Sequence, residues 1–193
     1  MIIGLMGPIG VGKTEASKIL RGLGICIIDA DEIAHKLIEQ KSVIKKILSG
    51  FGQNVALNGK VDRKKLGEVV FADIKKLKKL NDVLHPKIKK EIKKAIKNLL
   101  PFDHIIVIDA ALPCLFEGLT DKVWLVWSTY NLRVKRLLKK GLRRDKIKKI
   151  MRMQASKKEY LKTADKILHN NKTLKSLKAE IIKLAAGLGF EPR

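Results

Sequence analysis

The sequence predicts an α/β fold: a five-stranded parallel sheet flanked by helices. Three observations carry that expectation. Short apolar runs, mostly β-branched, recur along the chain and are continuous rather than alternating, as in strands buried on both faces. Segments with helical patterning lie between them, which gives the strand–helix alternation of α/β proteins with right-handed crossovers. The charge avoids the apolar runs and concentrates in two of the helical segments.

Taken in order, the first strand is Ile2 to Met6, and a helix is expected over Thr14 to Leu23. Ile25 to Ile28 is the second strand, followed by a helical pattern from Ile33 to Leu48. A long Lys-rich helical stretch, Arg63 to Leu100, comes before the strands Ile105 to Ile108 and Val123 to Trp127. A second basic stretch runs from Leu132 to Leu161, and Lys166 to His169 is a fifth, weaker strand. The chain of 193 residues is expected to form a single domain. Its core is read as about 1–35, 101–131 and 163–193. About 36–100 is too long for one crossover and reads as a helical excursion, and about 132–162 as a helical lid.

The formal net charge is +23, from 42 Lys+Arg against 19 Asp+Glu. Residues 60–98 contribute net +9 and residues 132–162 net +12. Such segments suit polyanions, whether nucleic acid or phosphorylated small molecules. Equally, 34 of the 42 bases are lysine, as on ordinary solvated helix faces. Aromatics make up 5% and no RNA-recognition signature or zinc finger accompanies the charge, so no specific nucleic acid partner is expected. No run approaches the length of a membrane span, and Met1 to Met6 does not read as a signal peptide. Cys26 and Cys114, 88 positions apart, make neither a disulfide framework nor a paired metal site. A cytoplasmic location is expected.

The segment Gly7-Pro8-Ile9-Gly10-Val11-Gly12-Lys13-Thr14 fits G-x-x-x-x-G-K-[ST], between a strand and a helix. Glycines let such a loop curl so that successive N–H groups bind phosphate oxygens, and the helix adds its positive N-terminal end. Lys13 is then expected at the β- and γ-phosphates of a nucleotide, and the Thr14 hydroxyl on Mg²⁺. After the second strand comes Asp29-Ala30-Asp31. Carboxylates there lie where open α/β sheets bind ligands. One could accept a proton from an attacking hydroxyl or orient Mg²⁺ through water; equally, Asp31 could simply cap the helix that follows.

Taken together, the ordered motifs resemble the dephospho-CoA kinase family from end to end. They are the phosphate loop; Asp29-Ala30-Asp31-Glu32-Ile33-Ala34-His35; Gly59-Lys60-Val61-Asp62-Arg63 through Leu66 with Val70-Phe71; Leu84-His85-Pro86; Leu115-Phe116-Glu117; and Arg136 to Lys140 with Gln154, Ala164-Asp165 and Asn170. The resemblance implies a P-loop kinase fold and phosphorylation of the ribose 3′-hydroxyl of dephospho-CoA by ATP-Mg²⁺. It implies Asp31 as the base, with Lys13 and Arg136 as catalytic cations. Gly7, Gly10, Val11, Gly12, Lys13, Thr14, Glu15, Lys140 and Asn170 fall on the ATP side. Asp29, His35, Arg63, His85, Leu115 and Glu117 fall on the acceptor side. His85, before Pro86, also has a capping or core reading, and His35 has a second reading as a residue that only packs beside the acceptor site. Departures from the family pattern are Glu15 in place of a second hydroxyl, Lys140 in place of arginine, His169 in place of aspartate, and the segment Asp109 to Cys114. Glu15 must turn outward to avoid repelling phosphate.

Overall fold

The computed structural model describes residues 1–190, in two compact units. The first comprises Met1–Asp29 and the chain from Ala95 on; the second is Ala30–Lys94. Residues 132–162 fall in the first unit, and of residues 36–100 those up to Lys94 fall in the second.

In the first unit, the strands are β1 (Ile2–Met6), β2 (Cys26–Asp29), then, beyond the second unit, β5 (Ile106–Asp109), β6 (Lys122–Trp127) and β7 (Lys166–His169). The second unit holds the short strands β3 (Ala56–Leu57) and β4 (Lys60–Val61). The five strands of the first unit form one parallel sheet in the order β2-β5-β1-β6-β7. All five expected strands are present, displaced by at most one residue at either end. The central strand is the most apolar because both faces are covered: Ile3, Leu5 and Met6 are fully buried. Gly4 leaves room for the Phe116 ring, whose nearest carbon would lie 2.6 Å from a β-carbon at that position.

Helices α1 (Lys13–Gly22) and α9 (Leu174–Ala186) cover one face of the sheet. Ala16 and Leu20 of α1 join Leu177, Ile181 and Ala185 of α9 in a core with Ile3, Leu5 and Val107. The spacing of three to four residues is what places each set on one helix face. The expected helix over Leu132 to Leu161 is three helices: α6 (Tyr130–Lys139), α7 (Arg144–Met153) and α8 (Lys157–Thr163). Gly141, at φ +80°, ends the first, and Ser156 starts the third. Ser156 accepts from the Glu159 N–H while Glu159 accepts from the Ser156 N–H, a reciprocal cap.

The second unit contains α2 (Ala30–Ile38), α3 (Lys41–Phe51), α4 (Arg63–Val70) and most of α5 (Ile74–Leu99). The helical pattern over Ile33 to Leu48 is broken at Gln40, which is extended (φ −73°, ψ 132°) and precedes α3. The expected Arg63-to-Leu100 helix breaks at Asp73, whose carboxylate accepts from the Lys75 N–H. Between α3 and α4 lies the β3–β4 hairpin, with Asn58 and Gly59 both at positive φ in its turn. Asn-Gly is the sequence signal for such a turn, and it escaped the sequence reading. In α5, Leu80, Leu84, Ile88, Ile92 and Ile96 are buried at four-residue intervals, leaving most of the lysines on the other faces. Among the described residues, no helix is long and apolar enough to cross a membrane.

Candidate active site

Strand β1 ends at Met6 and α1 begins at Lys13, so the Gly7–Gly12 turn lies at the C-terminal edge of the sheet. That edge is where ligands bind in open parallel sheets. Gly12 precedes α1 with φ +95° and ψ 27°, in the left-handed region that glycine adopts without strain. A side chain there would also collide with the amide nitrogen of Asn170.

Lys13 forms an ion pair with Asp109 Oδ1, and the Ser17 hydroxyl donates to Asp109 Oδ2. Asp109 is the last residue of β5 and 5% exposed; Ser17, one turn after Lys13 on α1, is 1% exposed. Both carboxylate oxygens of a buried group are therefore occupied by donors, which is how a buried charge is accommodated. Asp29 ends β2 in direct register with Asp109, so two strand-end carboxylates stand side by side. The sequence reading named Asp29 but missed Asp109 and Ser17 as site residues. The same signal was present in both strands: an apolar run closed by an aspartate.

The loop is held from outside by α6. Arg133 Nε donates to the Ile9 carbonyl at 2.9 Å, and Arg136 Nη1 donates to the Val11 carbonyl at 3.1 Å and to Gly10 at 3.5 Å. The two arginines are three residues apart, on one face of the helix. Gln154, just past α7, accepts from the Ile9 N–H at 3.0 Å. Arg133 is buried, with Trp127 beside its guanidinium; burial lowers its pKa, against the opposing influence of Tyr160 and Tyr130, yet a guanidinium stays charged in a protein. Arg136 also donates to Ser128 Oγ at 2.8 Å and to the Asn170 carbonyl at 2.8 Å. The sequence reading missed Arg133 and Ser128.

Among the other expected ATP-side residues, Thr14 is exposed in the first turn of α1, and Lys140 is exposed at the end of α6. Glu15 turns to Lys18, 3.0 Å away, while its N–H donates to the Gly12 carbonyl, so its carboxylate is matched by a cation. On the acceptor side, Leu115 is buried in a short helical turn and Glu117 is exposed beyond it.

Asp31, His35, Arg63 and His85 lie in the second unit. Helix α2 begins at Ala30, so Asp31 lies inside its first turn with Glu32; the capping reading does not hold. His35 is exposed one turn further on. Arg63 opens α4, whose cap is Asp62, accepting from Lys64 and Lys65 at 3.0 and 3.1 Å. His85 lies well inside α5, so it caps nothing; burial pulls its pKa below the usual histidine value, with Asp82 opposing and Lys89 adding. A surface cleft of 490 Å³ in this unit, lined by Lys41, Ile44, Leu48 and Gln53 among others, includes none of the expected site residues.

The class of protein follows from where the glycine loop sits. A strand, a G-x-x-x-x-G-K-T turn and a helix, set at the carboxyl edge of a five-stranded parallel sheet, define a P-loop kinase. The profile of the dephospho-CoA kinase family matches residues 1–176, and the chain belongs to that family. A dephospho-CoA kinase of Fusobacterium nucleatum is 39% identical over 186 residues, covering 92% of this chain and 93% of its own. The crystal structure of TT1252 from Thermus thermophilus superposes with a TM-score of 0.81 at 27% identity, over 97% of both chains. Dephospho-CoA kinase from Campylobacter jejuni does so with a TM-score of 0.68 at 28% identity, over 97% of this chain and 96% of that one.

Proposed function

We propose that this kinase transfers the γ-phosphoryl group of ATP to the ribose 3′-hydroxyl of dephospho-CoA, giving coenzyme A and ADP. The observation that carries the reading is the Gly7–Thr14 loop with Lys13 at its end, in a chain matched along 176 residues by one family of kinases. Loop amides and Lys13 bind the phosphate chain; Lys140 neutralises charge on the group in transfer, as does Arg136 once lid closure frees it from the Gly10 and Val11 carbonyls. Asp31 holds the acceptor hydroxyl and takes its proton. Because that proton leaves late in a loose transition state, orientation of the hydroxyl outweighs basicity. Asp29, His35, Arg63, His85, Leu115 and Glu117 make up the acceptor side, and residues 132–162 close as a lid.

The oxygen donors present suit Mg²⁺. The Thr14 hydroxyl is exposed at the start of α1, while Asp109, buried at the end of β5, holds Lys13 there. Magnesium keeps several waters and takes most other ligands from phosphates, so a hydroxyl and a water-bridged carboxylate such as Asp31 are sufficient protein donors. When bound, the ion would supply charge neutralisation to the phosphate chain. The basic surface is assigned no specific nucleic acid, and the protein is placed in the cytoplasm.

A panel of acceptors tests the reading. With ATP-Mg²⁺, dephospho-CoA is expected to yield CoA, whereas pantothenate, shikimate, AMP and dTMP turn over slowly or not at all. Absence of CoA, or faster turnover of another acceptor, contradicts it.

A further inference from the structure

We infer that Asn170 is a positioning residue that holds the Val11–Gly12 peptide so that the Gly12 N–H points into the phosphate cradle. The inference rests on reading the Gly7–Thr14 loop as a polyphosphate site and assigns Asn170 a task within it. Asn170 follows β7 and continues its pairing, its N–H donating to the Trp127 carbonyl at 2.8 Å. Its own carbonyl accepts from Ser128 Oγ at 2.5 Å and from Arg136 at 2.8 Å. The backbone of Asn170 is thus fixed, and the residue is 3% exposed.

From that base, the side-chain amide donates to the Val11 carbonyl at 2.8 Å. The orientation of the amide is settled by its neighbours. Arg136 has only donors and lies 3.4 Å from Oδ1, while the Val11 carbonyl only accepts, so Nδ2 must face it. Arg136 adds a second donor to the same carbonyl at 3.1 Å, while the Ser128 hydroxyl, whose one proton goes to the Asn170 carbonyl, lies 3.3 Å from it. Two side chains, Arg136 from α6 and Asn170 from just beyond β7, therefore donate to one backbone oxygen and occupy both its lone pairs. In a trans peptide, C=O and the following N–H point in opposite directions. Holding the Val11 oxygen against Asn170 turns the Gly12 N–H the other way. The left-handed Gly12 and the collision that any side chain there would make with Asn170 show how closely the amide is seated.

The consequence is preorganisation. A loop amide already aimed at the anion loses less freedom on binding than one that must rotate. The effect should depend on the phosphate chain and be indifferent to the base. Binding of ADP, GDP and inorganic tripolyphosphate to the full chain and to Asn170→Ala and Asn170→Asp provides the test. The expected result is a loss of about tenfold for all three ligands by a common factor, the usual scale for one buried hydrogen bond. KM for ATP should rise while KM for dephospho-CoA stays constant. Unchanged tripolyphosphate affinity overturns the inference, whether ADP affinity falls (a direct base contact) or holds (no role). Thermal melting checks folding; if both variants fail to fold, Ser128→Ala is read instead, with the same common-factor loss expected and none overturning it. If the unaltered protein binds neither ADP nor tripolyphosphate, the reading of the loop fails as well. That result differs from equal binding by all forms, which overturns only the role of Asn170.

Discussion

At the scale of single residues, the proposed transfer turns on Asp31. Asp31 lies in the first turn of α2, two residues beyond the strand end at Asp29. Asp31→Asn keeps the shape and removes the charge. It is expected to lower kcat by about 10²-fold or more while barely changing ATP affinity, the pattern for a group engaged with the acceptor during transfer. Full activity in that variant would leave Asp31 without a catalytic task. Residue chemistry was legible in the sequence where a motif fixed it: Lys13 and Thr14 came from the loop pattern alone. The partners of Lys13 were not. Asp109 is brought to the site by parallel pairing of β1 with β5, in which Leu5 and Asp109 stand opposite, a relation between residues more than a hundred positions apart. Local patterns carry no record of such a pairing.

At the scale of elements, the three central strands were legible because burial on both faces demands continuous apolar runs, while the edge strands β2 and β7 are only partly buried and give a weaker signal. Helix ends were less so. Gly141, Asp73 and the Ser156–Glu159 cap each divide a segment whose overall pattern is helical throughout. The proposed lid shows why the divisions matter. Helix α6 is tied to the phosphate loop through Arg133 and Arg136, whereas α8 is anchored by Tyr160, fully buried with its hydroxyl donating to the Ala111 carbonyl at 3.1 Å. Between them, α7 buries only Ile147. Amide hydrogen exchange in α7 is therefore expected to slow on addition of ATP and dephospho-CoA together, more than in α6 or α8. Unchanged exchange across residues 132–162 would rule out closure.

Helix α5 offers a second test at this scale. His85 has a pKa lowered in the folded protein, first by burial, so below the ordinary histidine value the unfolded chain binds more protons than the native one. Stability is then lost as pH falls below about 6.5. His85→Gln should flatten the melting temperature between about pH 7 and pH 5, leaving only the contributions of other groups. Parallel curves for both proteins would show that His85 is not the titrating group.

At the scale of the whole molecule, the +23 charge has two components. A few cations have assigned neighbours: Lys13 at Asp109, Arg133 and Arg136 at the loop carbonyls. Most of the rest are lysines beside apolar stripes such as that of α5, or partners in exposed pairs such as Lys36–Glu32 at 2.8 Å, which contribute little. Composition alone pointed towards polyanions in general; the loop narrowed this to a phosphate chain, and the ordered motifs narrowed it to one acceptor. The most direct test of that acceptor is a competition. Dephospho-CoA, adenosine and shikimate are supplied together at equal concentration with limiting ATP-Mg²⁺, and the products are separated and the phosphorylated position is read by ³¹P NMR. Dephospho-CoA is expected to be the dominant acceptor, carrying the new phosphate on its ribose 3′-oxygen. Phosphate on another position, or preference for either competitor, would contradict that expectation.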